Sequence, residues 1–569
     1  MKNLLVAGIL EKVAEILELQ EVPFKPQAYL KAARSISELS EDVTEIAKRG
    51  ELQNISGVGE SIAEKIEEII KTGKLKYYEQ LKKKLPIDFE ELGQIPSLGP
   101  KKIKFLYQKL KIKNLKDLEK ALQEHKLLKL RGFGAETEKN LQQGLELVKS
   151  HPQRFLYAQA LPLVEEVKTR LGKLPFVKKI DVAGSFRRGK ETVGDLDFLI
   201  VSSQPEKATK AFVNMPDVKD ILAQGPTKSS VRLNNNLQMD LRVVSEKEWG
   251  SALLYFIGNK EHNIELRKLA LSKGYTLSEY GLFKLKGKKW IAGRTEQEIY
   301  DQLGMKYIPP ELRENMGEIK ASLQNKLPPL VELKDIKGLF HNHSTWSDGT
   351  ASILEMAQAA EKLGLKFLAI TDHYSPIGIT NPLNEKRLEK YLAEIEKVRK
   401  KVSLELFSGV EIDILKDGSL PLSAAKLKQV DVVEAAVHLS TKMSEAEMTT
   451  RICSALENYP VNILAHPRGR LLNRREPFAA NWEKVFSVAK KNKVFLECTC
   501  SPARMDLSGE KIKTALDAGC KIALGTDAHS TAELNHYKQG ILALRRGWAE
   551  KKDILNCWDL SKIKKELKK

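Results

Sequence analysis

VAGSFRRGKETVGDLDFLIV, residues 182–201, is the stretch whose reading decides the fold around it. The apolar run Phe198-Leu199-Ile200-Val201, bounded by turn residues, predicts a strand, and on a strand residues i and i+2 share a face. Asp195 and Asp197 therefore aim at one point. Two adjacent carboxylates repel each other unless a cation lies between them, and the hard, oxygen-seeking ions Mg2+ and Mn2+ suit that place. Upstream, the backbone around Gly184 and the hydroxyl of Ser185 offer hydrogen bonds to a phosphate, and Arg188 offers a planar fork. A cation site beside a phosphate cradle describes a nucleotidyl-transfer centre, which asks for a third carboxylate on a neighbouring strand. Leu237-Gln-Met-Asp240-Leu-Arg-Val-Val244 supplies it as Asp240.

The pattern G-S-F-R-R-G, four residues, then G-D-x-D resembles the nucleotidyltransferase motif of DNA polymerase beta and its relatives, the family X polymerases. The resemblance implies an α+β palm over 151–245, in which Asp195, Asp197 and Asp240 hold two Mg2+ or Mn2+ ions. Asp240 is then the acceptor of the primer 3'-hydroxyl proton, and Ser185, Arg188 and Gly194 contact the phosphates of a dNTP. A nucleotide-selecting, thumb-like part is expected over 246–320. There the resemblance puts Tyr255, Phe256 and Gly258 beside the deoxyribose, Asn263 at the minor-groove edge of the base and Arg267 on the template. Ile257 and Asn259 stand where the family has threonine and serine.

A chain of 569 residues is long enough for three or more domains, and its 42% apolar content is ordinary for globular proteins. No apolar run approaches a membrane span, and the opening Leu4 to Leu10 passes into Glu11-Lys12 without a cleavage site, so a cytoplasmic protein is expected. Five cysteines without a paired framework fit a reducing compartment. The net charge of +19 suits a polyanionic partner. The first 150 residues hold 27 basic against 23 acidic side chains, so local motifs are a better guide to DNA binding than bulk charge.

Helices are predicted over 4–19, 26–37, 42–49, 61–72 and 76–84. Ile55-Ser-Gly57-Val-Gly59 joins two of them in a turn whose backbone N–H groups suit a DNA phosphate. Similar turns recur at Ile95-Pro-Ser-Leu-Gly99-Pro and Leu130-Arg-Gly132-Phe-Gly134, which makes 1–88 and 89–150 resemble helix-hairpin-helix DNA-binding domains. The first also resembles the lyase domain of polymerase beta. That likeness implies Lys65 as a Schiff-base amine and Lys25 and Tyr29 on a 5'-phosphate, while two further phosphate-binding lysines of the family appear as Ser61 and Tyr77.

After a linker at 321–333, short apolar runs alternate with helical stretches to the end of the chain, which argues α/β. Seven runs close on His, Asp or Glu, and in a β/α barrel such strand ends gather at one mouth. Six of the ten histidines sit there, and an imidazole and carboxylate cluster suits Mn2+, Zn2+ or Fe2+. The H-x-H start, S-D-G, T-D-H, G-V-E, H-P and G-T-D-A-H resemble the PHP (polymerase and histidinol phosphatase) domain. The resemblance implies a distorted (β/α)7 barrel over 334–569. Its two or three metal ions are held by His341, His343, Asp348, His373, Glu411, His438, His466, Asp527 and His529. Relatives commonly read E-I-N-A where this chain has Glu497-Cys-Thr499-Cys.

Together these likenesses imply a multidomain, monomeric DNA repair polymerase that fills short gaps in primed DNA, with a PHP module giving 3'-5' exonuclease and abasic-site endonuclease activity. Two other readings are a small-molecule phosphatase fused to an idle polymerase-like DNA-binding module, and a non-catalytic DNA scaffold.

Overall fold

The computed structural model describes residues 3–19, 22–37, 39, 42–84, 87–93, 95, 98–130, 132–150, 154–376 and 380–568. It divides into two compact units, Met1–Gln153 with Asn473–Arg475, and Arg154–Leu472 with Glu476–Lys569.

The first unit is helical. Its opening helices α1 (Asn3–Leu19), α2 (Lys25–Ser37), α3 (Val43–Lys48), α4 (Glu60–Thr72) and α5 (Lys76–Lys84) lie within one residue of their expected limits. Val6, Leu10, Val13 and Leu17 recur at helical spacing along α1 and pack with Ala32 and Ile36 of α2 and Ile66 and Ile69 of α4. Gly59 caps the start of α4, and Gly73, at φ +70°, ends it in the left-handed conformation that suits glycine. A second helical cluster, Pro100–Leu110, Leu115–Gln123 and Ala135–Ser150, closes over Leu98, Ile103, Leu106, Leu118 and Leu141. Pro96, Ser97 and Arg131 of the expected turns lie outside the described residues.

After strand Phe155–Leu156 and helix Tyr157–Gly172, the second unit forms a five-stranded sheet of β1 (Val177–Val182), β2 (Asp195–Ser202), β3 (Val218–Gln224), β4 (Lys228–Leu233) and β5 (Gln238–Val243), in the order β1-β2-β5-β4-β3. Only β2 and β5 run parallel, and their register pairs Asp197 with Asp240. In β2 Leu196 is buried between the two carboxylates, and Phe198 to Val201 are buried throughout. Next come helices Trp249–Ile257 and Lys260–Ser272 and the small antiparallel sheet β6 (Tyr275–Ser278), β7 (Gly281–Lys284) and β8 (Trp290–Ala292). The stretch expected as a linker is packed: helix Glu318–Leu323 runs into it, and the N–H of buried Val331 bonds the carbonyl of Ala549 at 2.9 Å.

Seven parallel strands then close a barrel: β9 (Gly338–Asn342), β10 (Phe367–Tyr374), β11 (Glu405–Asp413), β12 (Val432–Ala436), β13 (Ile463–Leu464), β14 (Phe495–Thr499) and β15 (Ile522–Ala528). Helices cover the strands, so β10 is buried along its whole length, as an apolar run without alternation requires. Phe367, Phe407, Ile463 and Phe495, near the strand starts, pack with Ile563 and Leu567 of the last helix and seal that end. The chelating residues sit towards the other end. Among the described residues no helix is long and apolar enough to cross a membrane.

Two candidate active centres

In the palm, the β2–β5 register brings Asp195, Asp197 and Asp240 together from two adjacent strands. Burial first, then Asp195 and Asp240, push the Asp197 carboxyl from 3.8 up to about 7. Asp195 is raised by burial and by Asp240. Gln238 donates to Asp240 Oδ2 at 3.1 Å, whereas Asp240 Oδ1 is buried with no hydrogen-bond partner. An orphaned buried oxygen beside two strained carboxylates fits a divalent cation.

The expected Gly-Ser turn is the first turn of a short helix, Gly184–Arg187. Gly184 has φ +63°, and a Cβ there would stand 2.5 Å from Asp197 Oδ2, so only glycine lets this turn approach the carboxylates. Lys190 N–H closes the turn onto the carbonyl of Ser185 at 3.1 Å. Arg188 pairs through Nε with Glu314 Oε1 at 2.9 Å and donates to the carbonyl of Ile257. Tyr255 and Phe256 meet edge to face, with ring centres 5.0 Å apart, at the end of the helix that Gly258 terminates. A Cβ on Gly258 would meet Asn263 Oδ1 at 2.7 Å. Asn263 donates to the carbonyl of Tyr255 at 2.6 Å, and Arg267 Nε donates to the carbonyl of Asn263 at 3.3 Å.

At the barrel mouth all nine expected ligands fall into overlapping groups whose donor atoms lie within 4.8 Å of one another. Glu411 is central. Its Oε2 stands 2.9 Å from His373 Nδ1, 3.3 Å from His341 Nε2 and 3.6 Å from His343 Nε2, and its Oε1 stands 2.8 Å from His466 Nε2 and 3.2 Å from His438 Nε2. Asp527 Oδ1 faces His343 at 3.5 Å, and Asp348 Oδ1 faces His529 Nε2 at 3.3 Å. Burial, with His529 and His373 nearby, pulls His343 down to about 3, so it is neutral and able to ligate. His341 Nε2, both nitrogens of His343, His466 Nδ1, Asp348 Oδ1 and Glu411 Oε2 are buried without hydrogen-bond partners. Such a set fits a cluster of metal ions better than a hydrogen-bonded core.

Residues around the ligands hold them in place. Glu497 Oε1 accepts the His341 Nδ1 proton at 2.6 Å, and Asp413 Oδ1 accepts that of His438 at 2.6 Å, which turns each Nε2 towards Glu411. Asp372 accepts from the backbone and hydroxyls of Ser344 and Ser347 and so fixes the loop that carries Asp348. Glu434 lies fully buried in register with Glu411, and burial keeps its carboxyl protonated well above the usual range. Glu434, Glu497 and His341 form a further close group; His341 and Glu497 close apolar runs, whereas Glu434 lies inside its run and was not among the expected ligands. The five cysteines are free and buried, and no metal-ligating group among the described residues includes one.

In the helical unit, Tyr29 is buried and stacks on Tyr77 at 6.4 Å. Lys65 Nζ donates to the carbonyl and hydroxyl of Ser61, each at 2.8 Å, and lies 5.2 Å over the Tyr77 ring. Lys25 opens α2. Gly57 and Gly132 take φ +81° and +89° in their turns. Gly99 caps helix Pro100–Leu110, and Gly134 directly precedes helix Ala135–Ser150.

Comparison with known families agrees with this division. Residues 1–75 match a helix-hairpin-helix domain and 89–146 a SAM-like helix-hairpin-helix tandem. Residues 160–250 match the DNA polymerase beta palm, 252–314 the DNA polymerase beta thumb and 340–501 the PHP domain. The chain is 35% identical over 568 residues, 99% of each protein, to the DNA polymerase/3'-5' exonuclease PolX of Bacillus subtilis (strain 168). It is 26% identical to rat DNA polymerase lambda over 342 residues, 55% of this chain and 56% of that protein. A protein named as a probable phosphatase in Thermoanaerobacter sp. (strain X514) is 29% identical over 241 residues, 40% of this chain and 93% of its own length.

Proposed function

Because the chain belongs to the family X DNA polymerases that carry a carboxy-terminal PHP domain, we propose a division of labour between its two centres. It is a DNA-directed DNA polymerase with an associated 3'-5' exonuclease. The palm extends the primer, and the barrel hydrolyses phosphodiesters. The observation that carries this is the pairing of Asp197 with Asp240 on adjacent strands, with Asp195 on the same face and Gly184 against them.

In the palm, Asp195, Asp197 and Asp240 would hold two Mg2+ or Mn2+ ions, which would supply Lewis-acid charge to the primer 3'-hydroxyl and the triphosphate. Asp240 accepts the hydroxyl proton. Ser185, the Gly184 backbone and Gly194 receive the phosphates, and Arg188 exchanges Glu314 for the phosphate as its anionic partner. Tyr255, Phe256 and Gly258 bound the sugar, while Asn263 and Arg267 face base and template. In the barrel the nine residues would hold two or three ions of Mn2+, Zn2+ or Fe2+, which would supply activation of water and of the scissile phosphodiester. Glu497 and Asp413 keep His341 and His438 in the ligating tautomer. Gly57, Gly59, Gly99, Gly132 and Gly134 place backbone N–H groups on DNA phosphates, and Lys25, Tyr29 and Lys65 face a 5'-phosphate. The substrate is gapped DNA, and the enzyme acts as a cytoplasmic monomer.

A separation-of-function experiment tests this on a gapped duplex in Mg2+ and in Mn2+. Asp195→Ala/Asp197→Ala is expected to abolish extension alone, and His341→Ala/His343→Ala degradation alone. Extension that survives the first pair refutes the palm assignment.

A further inference from the structure

Glu191 lies in the four-residue spacer between the phosphate turn and Gly194-Asp195, where the motif demands no particular residue. Its carboxylate is nevertheless nearly buried, between two guanidiniums of the carboxy-terminal domain. Oε2 stands 2.9 Å from Arg546 Nη1 and Oε1 stands 3.4 Å from Arg470 Nη2. Despite that burial, Arg546 and Arg470 hold its carboxyl down at about 2. The chain next to it docks on the same side: a Cβ on Gly189 would meet Leu542 of helix Tyr537–Arg546 at 2.9 Å.

On the palm side, Glu191 follows Lys190, whose N–H closes the turn onto Ser185, and Lys190 Nζ also reaches Glu314, the partner of Arg188, at 3.4 Å. On the barrel side, Arg470 stands four residues after His466. It donates through Nε to the carbonyl of Arg504 at 2.9 Å and through Nη2 to that of Met505. Arg504 Nε in turn lies 3.3 Å from Oδ2 of Asp527, a carboxylate of the metal-ligating group. A backbone hydrogen bond, the chain from Lys190 to Glu191 and a series of charge-assisted contacts through Arg470 and Arg504 thus join the triphosphate turn to Asp527 of the barrel centre. In a closely packed interior such a run fixes both ends.

We propose that the Glu191–Arg470 pair is a positioning element shared by both centres, setting the triphosphate turn for nucleotide binding and the Arg504–Asp527 edge for hydrolysis. The proposal rests on the assignment of the two centres above. A displacement of about 1 Å at a reacting centre costs up to about a hundredfold in rate, so partial loosening at each end is expected to cost about tenfold.

The test compares wild type, Glu191→Gln, Arg470→Lys and Arg546→Lys as full-length proteins. It measures KM and kcat for one-nucleotide extension of a primer-template in Mg2+, degradation of a single-stranded oligonucleotide in Mn2+, and the unfolding midpoint. Glu191→Gln and Arg470→Lys are each expected to raise KM for the dNTP about tenfold, with a smaller change in kcat, and to slow degradation about tenfold. Arg546→Lys keeps a cation on Glu191 and has no bond to the 504–505 backbone, so degradation should stay within about twofold of wild type. A lower midpoint with both activities unchanged overturns the proposal, as does loss of only one activity in Glu191→Gln. Arg546→Lys slowing degradation as much as Arg470→Lys also overturns it. Asp197→Ala run in parallel separates the two questions, because extension surviving in that variant defeats the palm assignment and not the coupling.

Discussion

Replacing Asp197 by Asn is expected to stabilise the metal-free protein while abolishing primer extension. The folded state holds the Asp197 carboxyl at about 7 against 3.8 for a free carboxyl, through burial and then the charges of Asp195 and Asp240. A rise of about three units corresponds to about 4 kcal/mol. The sign follows from proton binding: between about pH 4 and pH 7 the folded state holds a proton that the unfolded state has released. Stability attributable to this group therefore falls as pH climbs through that window, and the cost is complete by about pH 8. Asparagine has nearly the same shape and no charge, so it escapes the cost. Per-residue unfolding entropy makes 1 kcal/mol worth about 1 °C in a unit of this size, so the midpoint should rise by about 4 °C at pH 8 in EDTA. At pH 5 most of the difference should vanish, and saturating Mg2+ should favour the wild type selectively. The assay is thermal unfolding of both proteins in EDTA at the two pH values and in Mg2+ at pH 8. An Asn variant no more stable than wild type at pH 8, or equally stabilised at pH 5, would refute the reasoning.

Gly184→Ala places a Cβ 2.5 Å from Asp197 Oδ2 at a φ of +63°, so extension should fall by about a hundredfold while degradation in Mn2+ persists, read on one labelled gapped duplex. Glu497→Gln removes the charged acceptor of the His341 Nδ1 proton; metal titration should show about 10- to 100-fold weaker binding at the barrel, with extension in Mg2+ retained. Gly525→Ala forces a Cβ within 1.7 Å of Glu497 Oε1 and 2.9 Å of His341 Cβ, and it should cost about 1–3 kcal/mol or more and remove degradation, seen as a lower midpoint and lost turnover.

What was legible in the sequence was the part whose geometry is local. The spacing of Asp195 and Asp197 on an apolar strand needs no tertiary knowledge, and Asp240 followed because the chemistry asked for a third carboxylate on a similar run. The helices of the first unit were equally readable, since Val6, Leu10, Val13 and Leu17 mark one face of α1. The packing of 321–333 is not legible in the same way. Pro328-Pro329 and mixed charge describe a local chain without regular structure, but burial of Val331 depends on a bond to Ala549 more than two hundred residues away.

The barrel centre shows the limit most sharply. Looking for a chelator where each apolar run stops finds His438 for the strand that begins at Val432, and passes over Glu434 inside the same run. A parallel barrel points alternate residues inward at successive depths, so one strand can serve the mouth and the layer beneath it. Glu434 lies inside its run yet meets the centre: it is in register with Glu411, and its Oε2 is 3.4 Å from His341 Nδ1, where Glu497 has the shorter contact. Burial first, with the neighbouring Glu497 and Glu411 adding to it, raises the Glu434 carboxyl above its ordinary range. Its presence follows from strand register, which no spacing along one run encodes. Glu191 is hidden in the same way, because its partners Arg470 and Arg546 come from the other end of the chain and meet it only once palm and barrel have folded together.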